Sequence, residues 1–379
     1  MTRRILIGVT IDDSLQFHTG LPELLVQAGW EVHVVSGSGR RIEALRNIEG
    51  ITAHVIEMAR EPSPRRDLLA LRQWFRVVRA VRPHVTFIGT PKAALLGNLA
   101  ARVLRVKKRI YVLHGLRLET VKGPRRTILR AMEKLTVKTA HQVIAVSESL
   151  KSLAISEGIA PEAKVVVLGA GSCNGVDISG HERTLSSQEH SAFAASLGVD
   201  PSLPVVGFVG RLTRDKGLPE LAEALSILND RGCFVQLLIV GGVDDNSGKL
   251  ALGALARTGQ VVIPVGYRED PVPFYSLMDV LCLPSLREGL PGVILEAMAS
   301  GVVVAATEAT GIVDLVLPGH TGYLAARGSG ASLAESLEAA LSDGATTESF
   351  ILNARELIAE KYDRSNVQEK LIDFIAAEL

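Results

Sequence analysis

Cysteine is scarce in this 379-residue chain. Cys173, Cys233 and Cys282 stand far apart, with no CxxC and no Cys/His ligand spacing, which excludes a disulfide framework and a structural zinc site and fits a reducing cytosol. Long apolar runs are missing too, since none approaches the ~18–20 uncharged residues that span a bilayer. Met1, Thr2, Arg3, Arg4 and Ile5 lead straight into strand-like sequence, so neither a cleaved signal nor an integral membrane protein is expected. Aromatics make up 4% of the chain and do not interleave with its basic stretch, and no recognition module accompanies that stretch, so nucleic acid is not an expected partner. A nicotinamide-dependent dehydrogenase would need G-x-G-x-x-G after a first strand. Gly37-Ser38-Gly39 and Gly169-Ala170-Gly171 lack the third glycine and follow the wrong strands. Net charge is absent as well, with 41 Lys and Arg against 41 Asp and Glu. That zero is a sum of opposites: residues 1–180 hold 27 basic and 15 acidic residues, residues 181–379 hold 14 and 26. The split supports two domains and points the first half at something anionic.

What is present is an ordinary globular composition, 47% hydrophobic and 22% charged, in a chain long enough for two domains of ~100–200 residues. Short β-branched runs (Arg4 to Thr10, Glu31 to Ser36, Ile51 to Ile56, Val85 to Ile88, Arg109 to Leu113, Gln142 to Val146, Val165 to Leu168) alternate with segments of helical period such as Leu68, Leu71, Phe75 and Val78. Continuous apolar strands between helices imply a parallel sheet covered on both faces. From Gly169 to about Leu203 the pattern lapses into Gly, Ser, Asn, Asp and Pro, with a short helix near Gln188 to Ser196, and this reads as an interdomain connection. The alternation restarts at Val205. The expected fold class is α/β, with two doubly wound Rossmann-like domains over residues 1–180 and 181–360 and a C-terminal helix over 361–379.

Chemistry in such sheets lies where loops leave the carboxyl ends of strands and enter helix N-termini. Phe208 to Gly217, FVGRLTRDKG, follows the first strand of the second domain and presents Arg211 and Lys216 beyond the tight turn at Gly210. Two cations on such a loop can neutralise a diphosphate without a metal. Taken alone, the segment equally fits a solvated basic loop. Pro284 to Glu296, PSLREGLPGVILE, follows another strand and places Glu288 in a loop and Glu296 in the helix that starts near Gly292. Unpaired N–H groups of Gly292, Val293 and Ile294 at that helix start would form a phosphate site. Glu296 can accept hydrogen bonds from a ribose, and Glu288 can meet a sugar beyond the phosphates. Each acid taken singly also fits a helix-terminal or solvated role.

In combination, FVGRLTRDKG and the Glu288/Glu296 pair resemble the retaining, nucleotide-sugar-dependent glycosyltransferases of family 4, which adopt the GT-B fold. TPKAALLGNLAARVL, RIYVLHGL, EKLTVKTAHQVIAVSESLK and VVVLGAGSCNGVD resemble the branch that builds lipopolysaccharide, capsule and exopolysaccharide. The resemblance implies two domains facing across a cleft and final helices that cross back onto the first domain. It matches Arg211 and Lys216 to the diphosphate-binding pair, Glu288 to the acid contacting donor-sugar hydroxyls and Glu296 to the ribose acid. Gly266 and Tyr267, in Val265-Gly266-Tyr267-Arg268, match the loop whose backbone contacts the base, and His114 in VLHG matches a histidine near the donor sugar. Two departures stand out. Where relatives carry Gly-Gly after the first strand, this chain has Thr10-Ile11-Asp12-Asp13-Ser14-Leu15, with Ser14 as the substitute. Where the branch has HTHTPK, this chain reads Phe87-Ile88-Gly89-Thr90-Pro91-Lys92, which leaves Thr90 and Lys92 as acceptor-side candidates.

The implied reaction moves a sugar from a nucleoside diphosphate sugar, UDP-linked by the branch resemblance, to a hydroxyl acceptor on a polyprenyl-diphosphate-linked saccharide. No DxD motif occurs in these segments, so no metal cofactor is expected. A sugar-nucleotide epimerase on the same plan, and transfer to a soluble small acceptor, are the alternatives. The basic stretch from Arg102 to Lys138 carries apolar neighbours (Leu104, Val106, Leu118, Val121, Ile128, Leu129) and fits either a solvated helix surface or an anionic membrane face. The second reading implies a cytoplasmic protein held peripherally on the inner face of the cell membrane.

Overall fold

Runs such as Ile5-Leu6-Ile7 and Val34-Val35 are apolar at successive positions and fully buried, so strands made of them need cover on both faces. The computed structural model describes residues 2–59, 61, 63–181 and 186–377. It divides the chain into two compact units, Met1–Asn174 with Ser365–Leu379, and Gly175–Arg364.

The first unit holds strands β1 (Arg3–Gly8), β2 (Trp30–Ser36), β3 (Ile51–Val55), β4 (Val85–Gly89), β5 (Lys108–Leu113), β6 (Gln142–Ala145) and β7 (Val165–Val166). They form one seven-stranded sheet in the order β3-β2-β1-β4-β5-β6-β7, parallel at every pairing. Among its helices are α1 (Leu21–Gln27), α2 (Arg40–Leu45), α3 (Pro64–Val81), α4 (Pro91–Val103), α5 (Pro124–Thr139) and α6 (Glu148–Ser156). Helix α4 packs between α3 and α5. Trp74, Phe87 and Tyr111 anchor the core.

The second unit repeats the plan with β8 (Val205–Val209), β9 (Gln236–Val240), β10 (Val261–Gly266), β11 (Val280–Leu283), β12 (Val303–Thr307) and β13 (Tyr323–Ala325). Their order is β10-β9-β8-β11-β12-β13, again parallel. Its helices include α7 (Ile178–His181), α8 (Ser187–Leu197), α9 (Leu218–Asp230), α10 (Asn246–Leu255), α11 (Val272–Tyr275), α12 (Gly292–Ala299), α13 (Gly330–Ser342) and α14 (Gly344–Lys361). Phe208, Leu221, Leu225, Leu237 and Leu337 fill the core against the sheet.

The chain leaves the first unit after Asn174 and returns after Arg364, whereas the sequence pattern placed these points at 180 and 361. The departing and returning segments pair with each other: Val176 N–H donates to Tyr362 O at 2.9 Å and Arg364 N–H to Val176 O at 3.0 Å. Residues 182–185 of the connection lie outside the described residues. The last helix, α15 (Arg364–Ala376), is tied into the first unit. Lys108 Nζ donates to the Phe374 and Ala377 carbonyls at 2.6 and 2.7 Å, placing a cation on the negative end of the helix. Gln368 Nε2 donates to Thr19 O and Asn174 Oδ1, both at 2.8 Å.

Candidate functional site

In each sheet the strand order reverses between two neighbours, β1 with β4 and β8 with β11. Loops leaving the carboxyl ends of such a pair diverge and leave a crevice, the general ligand site of open α/β sheets. Both motifs of the second unit are the loops of such a pair: Gly210–Gly217 follows β8 and Pro284–Pro291 follows β11.

Gly217 lets the two loops meet. Its φ is +72°, and a Cβ there would lie 1.8 Å from Pro284 O; only glycine fits. Asp215 fastens the junction. Its carbonyl accepts from Leu286 N–H at 2.8 Å, and its carboxylate takes the Thr213 hydroxyl at 2.6 Å and the Arg287 guanidinium at 2.7 Å. Burial alone would raise the Asp215 carboxyl, but Arg287, the Thr213 hydroxyl and the nearby Lys216 and Arg211 outweigh it and hold it below the usual range.

Lys216 and Glu288, 72 residues apart in sequence, thereby face each other, with Nζ 2.5 Å from Oε1 and both side chains largely buried. The Ser285 hydroxyl donates to the same Oε1 at 2.7 Å. Arg211, on the same loop but half-exposed, pairs with Asp244 at 2.7 Å.

Glu296 lies on α12, half-buried, where Oε2 accepts from the Tyr275 hydroxyl at 2.7 Å. Burial pushes its carboxyl up to about 6, against the opposing pull of the Tyr275 hydroxyl and Arg364. Helix α12 begins at Gly292 with no side-chain cap. The three N–H groups expected to be free are not all so: Ile294 N–H donates to Pro291 O at 3.1 Å, because the chain tightens into a short turn there. Gly292 and Val293 remain at the helix start, and nothing lies within 4 Å of where a Cβ at Gly292 would project, so an anion can approach the backbone closely. Gly266 ends β10 at φ +80° and leaves Tyr267 61% exposed on the following loop.

The first unit holds the other candidates. His114, just beyond β5, is half-buried, and its Nε2 is buried with no hydrogen-bond partner. Phe17 stacks on its ring at 4.7 Å and His18 meets it edge-on at 6.0 Å. A Cβ on Gly89 would lie 2.5 Å from that Nε2, which explains a glycine at the end of β4. Burial, helped by His18, lowers His114 to about 3, so its ring is neutral near pH 7. Thr90, at φ +63°, accepts from Thr10 N–H at 2.9 Å and shares a hydrogen with the Thr10 hydroxyl at 2.8 Å. Ser14 is buried in the turn Asp12–His18. Lys92 does not offer a free ammonium: it is buried, donating to Glu61 O at 2.6 Å and Asp67 Oδ1 at 2.7 Å. That geometry ties α4 to the start of α3 and commits two of the three ammonium N–H donors.

Tyr275, Ser285, Asp215 and Asp244 escape sequence reasoning. Tyr275 sits in an apolar stretch, FYSLM, that reads as helix core, and its link to Glu296 spans 21 residues. Only the fold exposes it.

The fold and the comparisons together define a glycosyltransferase of GT-B fold. The family model for glycosyl transferases group 1 matches residues 203–343 and that for the glycosyl transferase 4-like domain matches residues 19–171. The chain is 33% identical over 367 residues to the capsular polysaccharide biosynthesis glycosyltransferase CapM of Staphylococcus aureus, covering 96% of this chain and 94% of that one. It is 26% identical over 355 residues to the N,N'-diacetylbacillosaminyl-diphospho-undecaprenol alpha-1,3-N-acetylgalactosaminyltransferase of Campylobacter jejuni, covering 90% of each. The solved structure of Anabaena Alr3699/HepE in complex with UDP-glucose matches with a TM-score of 0.81 at 22% identity, covering 99% of each chain. The chain belongs to the family 4 glycosyltransferases, in their polysaccharide-biosynthesis branch.

Proposed function

We propose that this enzyme transfers a sugar from a UDP-sugar, with retention of anomeric configuration and without a metal ion, to a hydroxyl of a polyprenyl-diphosphate-linked saccharide. The observation that carries the reading is the Lys216–Glu288 contact beside the uncapped start of α12. A cation, a sugar-directed carboxylate and a helix N-terminus lie at the same pair of strand ends.

Negative charge builds on the departing diphosphate in the transition state. Fixed positive groups at that point, Lys216, Arg211 and the Gly292 and Val293 N–H groups, stabilise it more than the ground state and so accelerate transfer. Glu288, freed as Lys216 turns to phosphate, accepts hydrogen bonds from donor-sugar hydroxyls. Glu296 accepts from the ribose, with Tyr275 holding its other oxygen. On the family resemblance we assign His114, neutral, to the donor sugar, to which Nε2 can offer an acceptor or its tautomeric N–H a donor. The acceptor hydroxyl attacks from the face the diphosphate leaves, and the leaving phosphate takes its proton. Ser14 and Thr90 are our acceptor-side candidates.

UDP is favoured because the fold neighbours from Anabaena hold UDP or UDP-glucose, and a lipid diphosphate because the Campylobacter relative's name carries one. Both substrates would meet at the cytoplasmic membrane face. A turnover screen across UDP-, GDP- and ADP-sugars with a polyprenyl-diphosphate-linked saccharide tests the reading. Nucleoside diphosphate should appear only with acceptor present, the product should keep the donor's anomeric configuration, and EDTA should leave the rate unchanged. Interconversion of donor sugars without acceptor, an inverted product, or activity abolished by EDTA and restored by Mg²⁺ would each overturn the corresponding part.

A further inference from the structure

We propose that His18 and His114 work as a pair that binds one saccharide hydroxyl between their Nε2 atoms, which makes His18 a further sugar-recognition residue of this enzyme. The inference rests on the reading that His114 meets a sugar, and it uses side chains of the first unit alone.

His18 closes the turn Asp12–His18 and is 2% exposed. Both of its ring nitrogens are buried and, among the described residues, have no hydrogen-bond partner. Its ring meets Phe87 edge-on at 5.5 Å and His114 edge-on at 6.0 Å. The two imidazoles converge over Gly89, the last residue of β4. A Cβ there would lie 2.5 Å from His114 Nε2 and 3.6 Å from His18 Nε2, so the missing side chain lets both nitrogens face the same spot. That spot lies at the carboxyl end of β4, beside β1, where the strand order of the first sheet reverses and open α/β sheets hold ligands.

Nothing in the packing offsets this arrangement. A buried polar nitrogen without a partner costs free energy that an apolar ring of the same shape avoids, and contact with Phe87 asks only for a flat ring. The next residue adds to the cost. Thr90 sits at φ +63°, a conformation that strains a β-branched residue, and its bonds to the Thr10 N–H and hydroxyl hold it there. Unpaired buried groups and backbone strain at adjacent positions on the ligand-binding edge of a sheet mark residues kept for a bound group rather than for stability.

The chemistry of the pair selects that group. Burial lowers His18 to about 4 and His114 to about 3, so both rings are neutral near pH 7. Each neutral imidazole carries one N–H and one lone pair. With the two rings in opposite tautomers, Nε2 of one donates and Nε2 of the other accepts. A hydroxyl answers both at once, since its oxygen accepts from the first and its O–H donates to the second. A phosphate or carboxylate would set its negative charge against the lone pair, and an ammonium would set its positive charge against the N–H. Phe17 controls entry. It is half-buried and stacks on the His114 ring at 4.7 Å, while the backbone on either side is fastened. Asp12 accepts the Arg41 and Ile42 N–H groups at 3.0 and 2.8 Å, and Gln368 Nε2 donates to Thr19 O at 2.8 Å. The Phe17 ring therefore turns aside while His18 stays in place.

The hydroxyl belongs either to the donor sugar or to the acceptor saccharide, and one set of measurements separates the two. His18→Phe and His18→Leu remove both nitrogens and keep an apolar group against Phe87. At least one of them should match or exceed the parent's thermal midpoint, measured without substrate, while kcat/KM falls about tenfold. His18→Gln, which both donates and accepts, should recover part of the rate. Hydroxyls are then removed one at a time from the nucleotide sugar and from the acceptor that support turnover. One deoxy analogue should serve the parent about tenfold less well than the intact compound, yet serve His18→Phe equally well, and whether it is a donor or an acceptor names the source. Because one hydroxyl serves both rings, His18→Phe combined with His114→Phe should be no worse than His114→Phe alone. Lower midpoints in both apolar variants, with activity lost in proportion to folded protein, would make His18 a packing residue and overturn the proposal. Effects that multiply in the double variant would also overturn it. If only His114→Phe lost the discrimination, the pairing would fall and the assignment of His114 to a sugar would stand; if neither variant differed from the parent with any analogue, both would fall.

Discussion

Replacing Glu296 by Gln should stabilise the folded protein while weakening its grip on donor. Burial raises the Glu296 carboxyl from 4.5 to about 6 in the folded state, so the native protein holds that proton more tightly than the unfolded chain. The sign follows from linkage: stability contributed at this site falls as pH rises from about 4.5 to about 6 and is flat above. At ~1.4 kcal/mol per unit the shift corresponds to about 2 kcal/mol, and solvent screening of a half-buried side chain reduces this to about 1–2 kcal/mol. The amide of E296Q keeps the Tyr275 hydrogen bond without the buried charge. Urea unfolding at pH 7.5 should therefore show the variant more stable by about that amount, with the gain disappearing by about pH 4, where both forms are neutral. Isothermal titration with UDP at pH 7.5 should show weaker binding by E296Q, and as pH is lowered through about 6 the parent's affinity should fall more steeply than that of E296Q, which keeps only the limb of the UDP terminal phosphate. Glu133 supplies the control: buried under Tyr111 and raised to about 7, its E133Q variant should gain stability with nucleotide binding intact. If E296Q were destabilised at every pH, or gained as much at pH 4 as at pH 7.5, the buried-charge account would fail; unaltered UDP affinity would remove Glu296 from the ribose.

Other variants probe the remaining parts of the site. Lys216→Ala should lower kcat about 10²–10³-fold, as loss of a fixed transition-state charge does, and should lower the thermal midpoint because the largely buried Glu288 loses its cation and, among the described residues, keeps the Ser285 hydroxyl as its side-chain partner; a change confined to donor KM would contradict the first half. Gly217→Ala should cost at least about 2 kcal/mol and most of the activity, since it sets a methyl against Pro284 O at a positive φ, and an unchanged urea midpoint would show that the two loops can part without harm. His114→Asn should lower kcat yet leave the acid limb near pH 6 in place, because His114, lowered to about 3 by burial, does not titrate there; a limb that moved with this substitution would reassign it from Glu296.

The chain by itself determined the architecture and the loops that carry the candidate site. Apolar runs such as Ile5-Leu6-Ile7, separated by helical periods, can only bury both faces inside a parallel sheet, and the GRLTRDKG and LREGLPG loops follow directly from strands that local pattern reveals. What needed the tertiary structure was pairing at a distance. Lys216 meets Glu288 only because β8 and β11, far apart in sequence, are neighbours where the strand order reverses, and Tyr275 reaches Glu296 across the same edge. Charge was the least legible property. A sequence shows that Lys92, Lys108 and Arg109 are cationic but not that Asp67 and helix-end carbonyls receive them, nor that the arginines of α3 remain facing water. Hydrophobic periodicity is read within a few residues, whereas the partner of a buried charge is set by whichever elements the crossovers bring together.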